Sequence, residues 1–218
     1  MAVHVHCKLL STAKLSSSED NKQDGLKNMK FKGSKTEKNV LAAFAGESQA
    51  KNRYSFFSSV AKKEGYEQIS AIFEETSENE KEHAKLFFRH LQGGTAQIDA
   101  VYPAGTIGTT AQNLKASAEG EKFEWGTLYP DFGNTAEEEG FTEVAATFRS
   151  IAKVEAYHER RYLKLLENVT QGTVFKKSAP VKWKCRNCGY VHESSEALAV
   201  CPVCNHPRSY FEIWTEDY

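Results

Sequence analysis

Glu80 and His83 stand three positions apart in ENEKEHAKLF, residues 78–87, and Glu155 and His158 repeat the spacing in VEAYHERRY. On a helix, residues three apart share a face, so each pair can aim a carboxylate and an imidazole at one point. One pair alone is weak, because Glu78, Glu80 and Glu82 would equally make a solvated acidic face with His83 beside it. The second pair changes the balance, because it lies at the equivalent place of a duplicated segment. Residues 63–87 lie over 138–162 at a constant offset of 75, so that Gly65 meets Gly140, Phe73 meets Phe148, Glu80 meets Glu155 and His83 meets His158. Further upstream, Gly46-Glu47 returns as Gly120-Glu121 at an offset of 74.

Glu47 and Glu121 therefore hold matching places on the first helix of each copy, and Glu124 adds a carboxylate one turn beyond Glu121. The set of five acids and two imidazoles is rich in hard oxygen donors, which suits iron or manganese better than zinc with its compact tetrahedral preference. Five carboxylates nearly balance the charge of two di- or trivalent cations, whereas burying them alone would raise their pKa values or unfold the helices. Glu80 and Glu155, from opposing copies, are the natural bridges between two metals. Glu47 and Glu124 would serve one of them, and Glu121 and His158 the other.

Four long helices are needed to bring these residues together. Ser34 and Glu37 form a capping-box signal that opens a first helix, and Gly65 after a lysine pair closes it. Leu41, Phe44, Ala45, Ser48, Tyr54 and Phe57 are its expected inward face. The second helix is expected over about 66–91, with Ile69, Ile72, Phe73, Leu86 and Phe87 inward and Gly93-Gly94 as the stop. Residues 95–109 show no period and read as a crossover, longer than a hairpin needs. A third helix starts at Thr109 or Thr110 and runs towards Glu139, with a kink or break expected at Pro130 and Gly133, and a fourth covers about 141–168. Two hairpins with one long connection predict an all-α four-helix bundle with ferritin-like wiring.

A second centre lies near the C-terminus. Cys185, Cys188, Cys201 and Cys204 follow the pattern C-x2-C-x12-C-x2-C, a specific signature for four thiolates around one zinc or iron ion, and spacing alone does not choose between the two. About 40 residues hold too little core to fold unaided, so the metal must contribute folding energy. Gly189 and Asn205, each following the second cysteine of a pair, permit tight turns, and Trp183, Tyr190, Phe211 and Trp214 are the expected core.

The 28 basic and 29 acidic residues nearly cancel and no basic block interleaved with aromatics occurs, which argues against nucleic acid as a partner. No apolar run is long enough for a membrane span, and cysteines paired as CxxC without a secretion signal point to the cytoplasm. Residues 1–28 carry no periodicity and read as a flexible extension; they lack Arg and contain Glu19, Asp20 and Asp24, a poor match to an organellar leader. His4, His6 and Cys7 within them are expected to have no role. The domain plan is an extension over 1–28, a bundle over 29–172, a linker over 173–180 and the cysteine domain over 181–218.

GESQAKNRY, ENEKEHAKLF, GEKFEWGTLYP, VEAYHERRY and CRNCGY with CPVCNHP together resemble the markers of the rubrerythrin family, in its order and over residues 29–218. The resemblance implies a ferritin-like diiron bundle followed by a rubredoxin-like domain, and a non-haem peroxidase that reduces hydrogen peroxide to water in oxidative-stress defence. It implies two iron ions in the bundle and a third in the cysteine site, where zinc is the alternative. Carried over by position, Glu47, Glu80, Glu121, Glu124, Glu155 and His158 match ligands of the oxidised site, and His83 matches a histidine that replaces Glu124 after reduction. Tyr54 and Tyr129 match tyrosines beside the site, although the pattern alone reads them as core. The family also implies a homodimer and an external electron donor, such as a rubredoxin or a flavoprotein reductase. A ferritin-like ferroxidase and a non-catalytic zinc-ribbon binding protein are the competing readings.

Overall fold

The computed structural model describes residues 30–216, so the expectations placed on residues 1–28, including His4, His6 and Cys7, lie outside the described residues. Helix α1 spans Lys35–Lys63, α2 Glu67–His90, α3 Thr110–Phe123, α4 Tyr129–Glu138 and α5 Thr142–Thr170. α3 and α4 form one rod, joined by five residues of π-helix over Glu124–Leu128. α1 packs on α2 and the α3–α4 rod on α5, with residues 91–109 crossing between the pairs without regular structure. This is the four-helix bundle the repeat requires.

The sequence signals act at the helix ends. Ser34 Oγ accepts from the N–H of Glu37 at 3.0 Å, while the Glu37 carboxylate passes the expected box partner and takes the N–H of Gly33 at 2.7 Å. At the far end, the duplication is visible atom by atom. Gly65 and Gly140 both have φ of 84°, a left-handed conformation that glycine adopts without penalty. The N–H of Tyr66 returns to the carbonyl of Ala61 at 2.9 Å, and that of Phe141 to Ala136 at 2.8 Å, so the two hairpins turn by the same device.

Two expectations about packing change. The buried stripe of α1 runs Val40, Ala43, Glu47, Ala50, Tyr54, Phe57 and Ala61, with Leu41 at its margin, while Phe44, Ala45 and Ser48 are only half-buried. A search for apolar periodicity passes over this stripe because an acid sits at its centre. On α2, Leu86 is exposed, because the inward stripe passes through Glu80, His83 and Phe87. Ile69, Phe73 and Phe87 are buried as expected.

Two apolar layers sandwich the acids. One holds Phe87, Tyr129 and Phe148, the other Tyr54, Phe73 and Tyr162. The duplication relates them residue by residue: Tyr54 corresponds to Tyr129, Phe73 to Phe148, and Phe87 to Tyr162, each 75 positions on. Ring centroids lie 4.8–5.8 Å apart in the first triad and 5.2–6.2 Å in the second, within the range for aromatic packing.

The C-terminal unit is a three-stranded antiparallel sheet, with β1 (Lys176–Cys185) between β2 (Val191–Glu196) and β3 (Phe211–Ile213). β1 begins inside the 173–180 stretch anticipated as a linker, with Lys176 opposite Glu196, and the register shifts before Val181. Pro180, which has no N–H for the ladder, lies in that irregular stretch. Trp183 and Phe211 are buried against Cys185 and Cys201, Tyr190 packs at the margin, and Trp214 is half-buried with Lys184 Nζ 4.4 Å from its ring centre. Phe175 stacks on Tyr66 with centroids 6.2 Å apart, which seats the small unit against the α1–α2 turn. Among the described residues, no helix is long and apolar enough to cross a membrane.

The four cysteines can hold a metal ion, and in comparable small folds such binding contributes on the order of 10 kcal/mol to a core as small as this one. Replacing Cys185 and Cys201 together by Ser should abolish the near-ultraviolet signal of buried Trp183 and leave the helical far-ultraviolet signal largely intact. A near-ultraviolet spectrum unchanged in the double variant would contradict this.

Candidate metal centres

Four helices deliver acids to one level of the bundle: Glu47 from α1, Glu80 from α2, Glu121 from α3 and Glu155 from α5, all at most 1% exposed. Ligand atoms of Glu47, Glu80, His83 and Glu155 lie within 4.8 Å of one another, and so do those of Glu80, Glu121, Glu155 and His158. Glu80 and Glu155 belong to both groups. Each group can hold a metal ion, and the shared acids can reach both.

The finer geometry tests whether the residues fit metals. His83 Nδ1 is 2.9 Å from Glu80 and 2.8 Å from Glu155, and His158 Nδ1 is 2.7 Å from Glu155 and 3.2 Å from Glu80. Yet Glu47 Oε2, Glu80 Oε1, Glu121 Oε2, both oxygens of Glu155 and Nδ1 of His158 are buried without an aligned hydrogen-bond partner. Buried polar atoms normally find partners, because leaving one unpaired costs about 1–3 kcal/mol and more when charged. Even with these His–Glu contacts the donor atoms of each group stay incompletely satisfied within 4.8 Å of one another, as ligands around a shared cation do. The opposite oxygens of Glu121 and Glu47 are held from outside: Tyr54 donates its hydroxyl to Glu121 Oε1 at 2.5 Å, and Tyr129 donates to Glu47 Oε1.

Charge reinforces the argument. Burial, and then repulsion from Glu80 and Glu155, pushes Glu47 and Glu121 well above the usual carboxylate range. Burial would push Glu80 up too, but contacts with His158 and His83 outweigh it and bring it down to about 2. Burial disfavours both imidazolium ions, yet Glu155 and Glu80 raise His83 to about 10 and His158 to about 9. Without metal, then, the cluster holds itself together with protons.

Glu124 stands apart. It lies in the π-segment, outside both ligand groups, where burial followed by Glu155 and Glu80 raises it to about 8. The π-segment has a counterpart in the repeat arithmetic: Glu121 follows Glu47 by 74 positions but Tyr129 follows Tyr54 by 75. One residue is gained between them, and the π-helix is where the backbone absorbs it, with Tyr129 N–H bonding to Glu124 C=O five residues back. No break occurs at Pro130 or Gly133, which lie within α4; the irregularity falls just upstream, where the rod widens locally. The indole N–H of Trp125 ties the segment to α5, donating to Glu159 at 2.7 Å.

The four cysteines form the second centre, with ligand atoms also within 4.8 Å of one another. Two matching knuckles hold them. Gly189 N–H returns to Cys185 C=O at 2.9 Å and Asn205 N–H to Cys201 C=O at 3.0 Å, with positive φ of 80° and 58° at the two turning residues. The backbone N–H groups of Tyr190 and His206 reach the sulfurs of Cys188 and Cys204; with the His206 N–H Cys204 falls to about 6, whereas on Cys188 the Tyr190 N–H is outweighed by desolvation and the other cysteines, which raise it to about 12.

The sequence profile of the rubrerythrin family matches residues 38–166, and that of the rubrerythrin rubredoxin-like domain matches residues 183–212. The rubrerythrin of Porphyromonas gingivalis is 61% identical over 191 residues, covering 88% of this chain and 96% of that protein. The chain belongs to the rubrerythrin family. The rubrerythrin of Nitratidesulfovibrio vulgaris is 53% identical over 84% of this chain and 96% of its own length. Among solved structures, nigerythrin in its fully reduced, all-ferrous state superposes with a TM-score of 0.57 at 28% identity, covering 94% of this chain and 100% of that one. Membership of this family and the two kinds of metal-binding cluster support the peroxidase function typical of rubrerythrins.

Every site residue expected of this rubrerythrin-family chain is placed. Glu47, Glu80, His83, Glu121, Glu155 and His158 converge, Tyr54 and Tyr129 hold two of the acids, the four cysteines meet, and Glu124 alone stays outside. Tyr162 was not anticipated. It is fully buried, its hydroxyl has no aligned partner, and burial followed by Glu121 raises its pKa well above the usual phenol range. The repeat could have singled it out, since its equivalent is Phe87 and the hydroxyl is therefore an addition to one side only.

Because each shared acid serves both groups, Glu80→Ala or Glu155→Ala should empty the bundle centre, leaving at most about one metal per chain by elemental analysis, held by the cysteines. Retention of two bundle metals would contradict the shared-ligand arrangement. Loading the metal-free wild-type bundle near pH 7 should release protons from His83 and His158, both raised above that pH, so apparent affinity should climb as pH rises towards 9. Titration calorimetry in two buffers of different ionisation enthalpy measures the release; identical heats would contradict it.

Proposed function

We propose that the bundle centre holds two iron ions and the thiolate centre a third, and that the chain reduces hydrogen peroxide to water with electrons from an external donor such as a rubredoxin or flavoprotein reductase. The observation that carries this reading is one chain combining a buried, two-metal donor set with a four-thiolate knot. When bound, the bundle irons supply the two electrons that the substrate consumes, and the thiolate iron passes replacements singly.

The residues divide the remaining work. Glu80 and Glu155 would be shared between the two metals, Glu47 with His83 or Glu124 would complete the set for one, and Glu121 with His158 that for the other. The hydroxyls of Tyr54 and Tyr129 fix which oxygen of Glu121 and Glu47 faces inward, and each holds a proton at Oη beside the site. Two protons accompany the two electrons as peroxide becomes two waters, and such hydroxyls are suitable local donors. The aromatic layers above and below exclude bulk water, which keeps the electrostatics strong. The arrangement with His83 gathered in and Glu124 left out supports an exchange of these two side chains on one iron between reduced and oxidised states. Exposed Phe123, Val101 and Ile107 near the crossover support a second copy of the chain as a partner.

A ferroxidase that stores its product has no use for the thiolate knot. The two readings separate on rapid mixing of the fully reduced protein: peroxide should reoxidise it at least tenfold faster than oxygen does, with no ferric mineral accumulating, and the reverse order would favour the ferroxidase. A red Fe(III)-thiolate spectrum, not colourless zinc, should accompany the preparation. Cys185→Ser should leave peroxide oxidation of the reduced bundle centre intact and stop its re-reduction by the external donor; unimpaired re-reduction would remove the knot from the electron path. His83→Ala should retain the oxidised centre and alter the spectrum and rates of the reduced one; unchanged reduced-state behaviour would exclude the exchange.

A further inference from the structure

The bundle centre is internally two-fold: Glu47 pairs with Glu121, Glu80 with Glu155, His83 with His158 and Tyr54 with Tyr129. Two charged residues break this symmetry. Glu124 arrives with the inserted residue, and the positions that correspond to it in the first hairpin, at offsets of 75 and 74, are Gln49 and Ala50, neither of them acidic. Arg53 corresponds at an offset of 75 to Leu128, so its charge also has no counterpart. The two unmatched charges are opposite in sign, and both open on one cavity.

That cavity, about 380 Å³, lies between α1 and the α3–α4 rod beneath the crossover; Arg53 and Glu124 share its mainly apolar lining with Tyr102, Tyr129 and Phe132, and the exposed Lys38 and Asp99 line it as well. The crossover is pinned over it, with Tyr102 donating its hydroxyl to the carbonyl of Ala42 at 2.8 Å and Gln49 donating to that of Pro103 at 3.1 Å. Gly46 and Gly120, equivalent in the repeat, both line it. In this setting the guanidinium leans against the Tyr54 ring at 5.8 Å, and its Nε is buried without a hydrogen-bond partner. An unpaired guanidinium N–H in apolar surroundings is costly, and a carboxylate is the partner whose geometry it matches.

We propose that Arg53 is a positioning residue that receives Glu124 in this cavity when His83 takes its place on the metal, and so holds the reduced arrangement of the centre. This rests on the exchange of Glu124 and His83 put forward above. The mainly apolar lining makes the attraction between the two charges stronger than it would be in water. The present structure holds half of that arrangement: His83 lies against both shared acids, and Glu124, outside both ligand groups, lines the same cavity as Arg53 without yet being paired with it. Arg53 touches neither substrate nor metal in this account. It acts only through the position of Glu124.

Removing the charge should therefore weaken the reduced arrangement relative to the oxidised one. In iron-loaded Arg53→Gln, the equilibrium constant for reducing the bundle centre should fall about tenfold, the size of a lost charge pair worth roughly 1.4 kcal/mol, read as a lower midpoint potential in a spectroscopic redox titration. Arg53→Lys should restore most of the loss. In a Glu124→Gln background, Arg53→Gln should have no further effect on the potential, whereas a purely structural contribution through Tyr54 packing would add to it. Crystals of the reduced wild type supply the remaining arm. His83 bound and Glu124 directed to Arg53 is the expected result; His83 unbound would fail the exchange itself, and His83 bound with Glu124 turned away from Arg53 would overturn this proposal alone. Equal potentials for wild type, Arg53→Gln and Arg53→Lys would overturn it as well.

Discussion

Four carboxylates buried together in the middle of a helical bundle are the constraint from which the rest of the structure follows. Glu47, Glu80, Glu121 and Glu155 are shielded from water and close enough to repel strongly. An isolated buried carboxylate is prohibitively expensive, so such a cluster persists only when cations or protons neutralise it. The two imidazoles supply part of the neutralisation, and the unpaired oxygens show that side-chain hydrogen bonding alone does not complete it. Every neighbouring feature serves this layer. Aromatic triads close it from above and below, tyrosine hydroxyls turn two carboxylates, and long helices hold the donor atoms on rigid backbones where a loop would let them wander.

Duplication is an economical way to build such a site. One hairpin contributes an acid from its first helix and an acid–histidine pair from its second, and two hairpins packed face to face give two equivalent metal positions with two acids in common. The two positions nonetheless differ in this chain. The structure supplies the difference through a few departures from symmetry: an inserted residue absorbed as π-helix, the acid it brings, the unmatched Arg53, and the hydroxyl of Tyr162 where the other copy has Phe87. Widening the helix for a turn shifts one carboxylate without disturbing the packing of Tyr129 and Phe132 beyond it. A regular helix could not do both.

Much of this was legible in the residues. Four helices, their glycine stops, the crossover, the two knuckles around the cysteines and the metal-ligand candidates follow from spacing and repetition, because these features depend on local geometry. What was misread depended on tertiary context. The inward stripe of α1 was rotated towards Phe44 and Ser48 because a periodicity search discounts an acid, although Glu47 is the centre of the buried face. Leu86 reads as inward for its apolarity, while the helix turns Glu80 and His83 to that side instead. The π-segment was written in the sequence as the change of offset from 74 to 75, ahead of Pro130, but an offset reports an insertion without saying how the backbone accommodates it. Tyr162 was hidden in the same way, as a difference between two copies that only a residue-by-residue comparison reveals.

The thiolate knot and the carboxylate layer solve opposite problems in one chain. The knot gathers soft ligands near the surface on a small sheet that has little else to hold it, and Cys188 remains exposed there. The acid layer hides hard ligands in the buried interior of the bundle. The central claim is that the acid layer is a two-metal site with shared ligands, and anomalous diffraction at the iron edge tests it most directly. Crystals of the iron-loaded protein should show two peaks in the bundle, each within coordination distance of both Glu80 and Glu155, and a third among the four cysteines. A single bundle peak, or none with the carboxylates hydrogen-bonded to one another, would contradict the account.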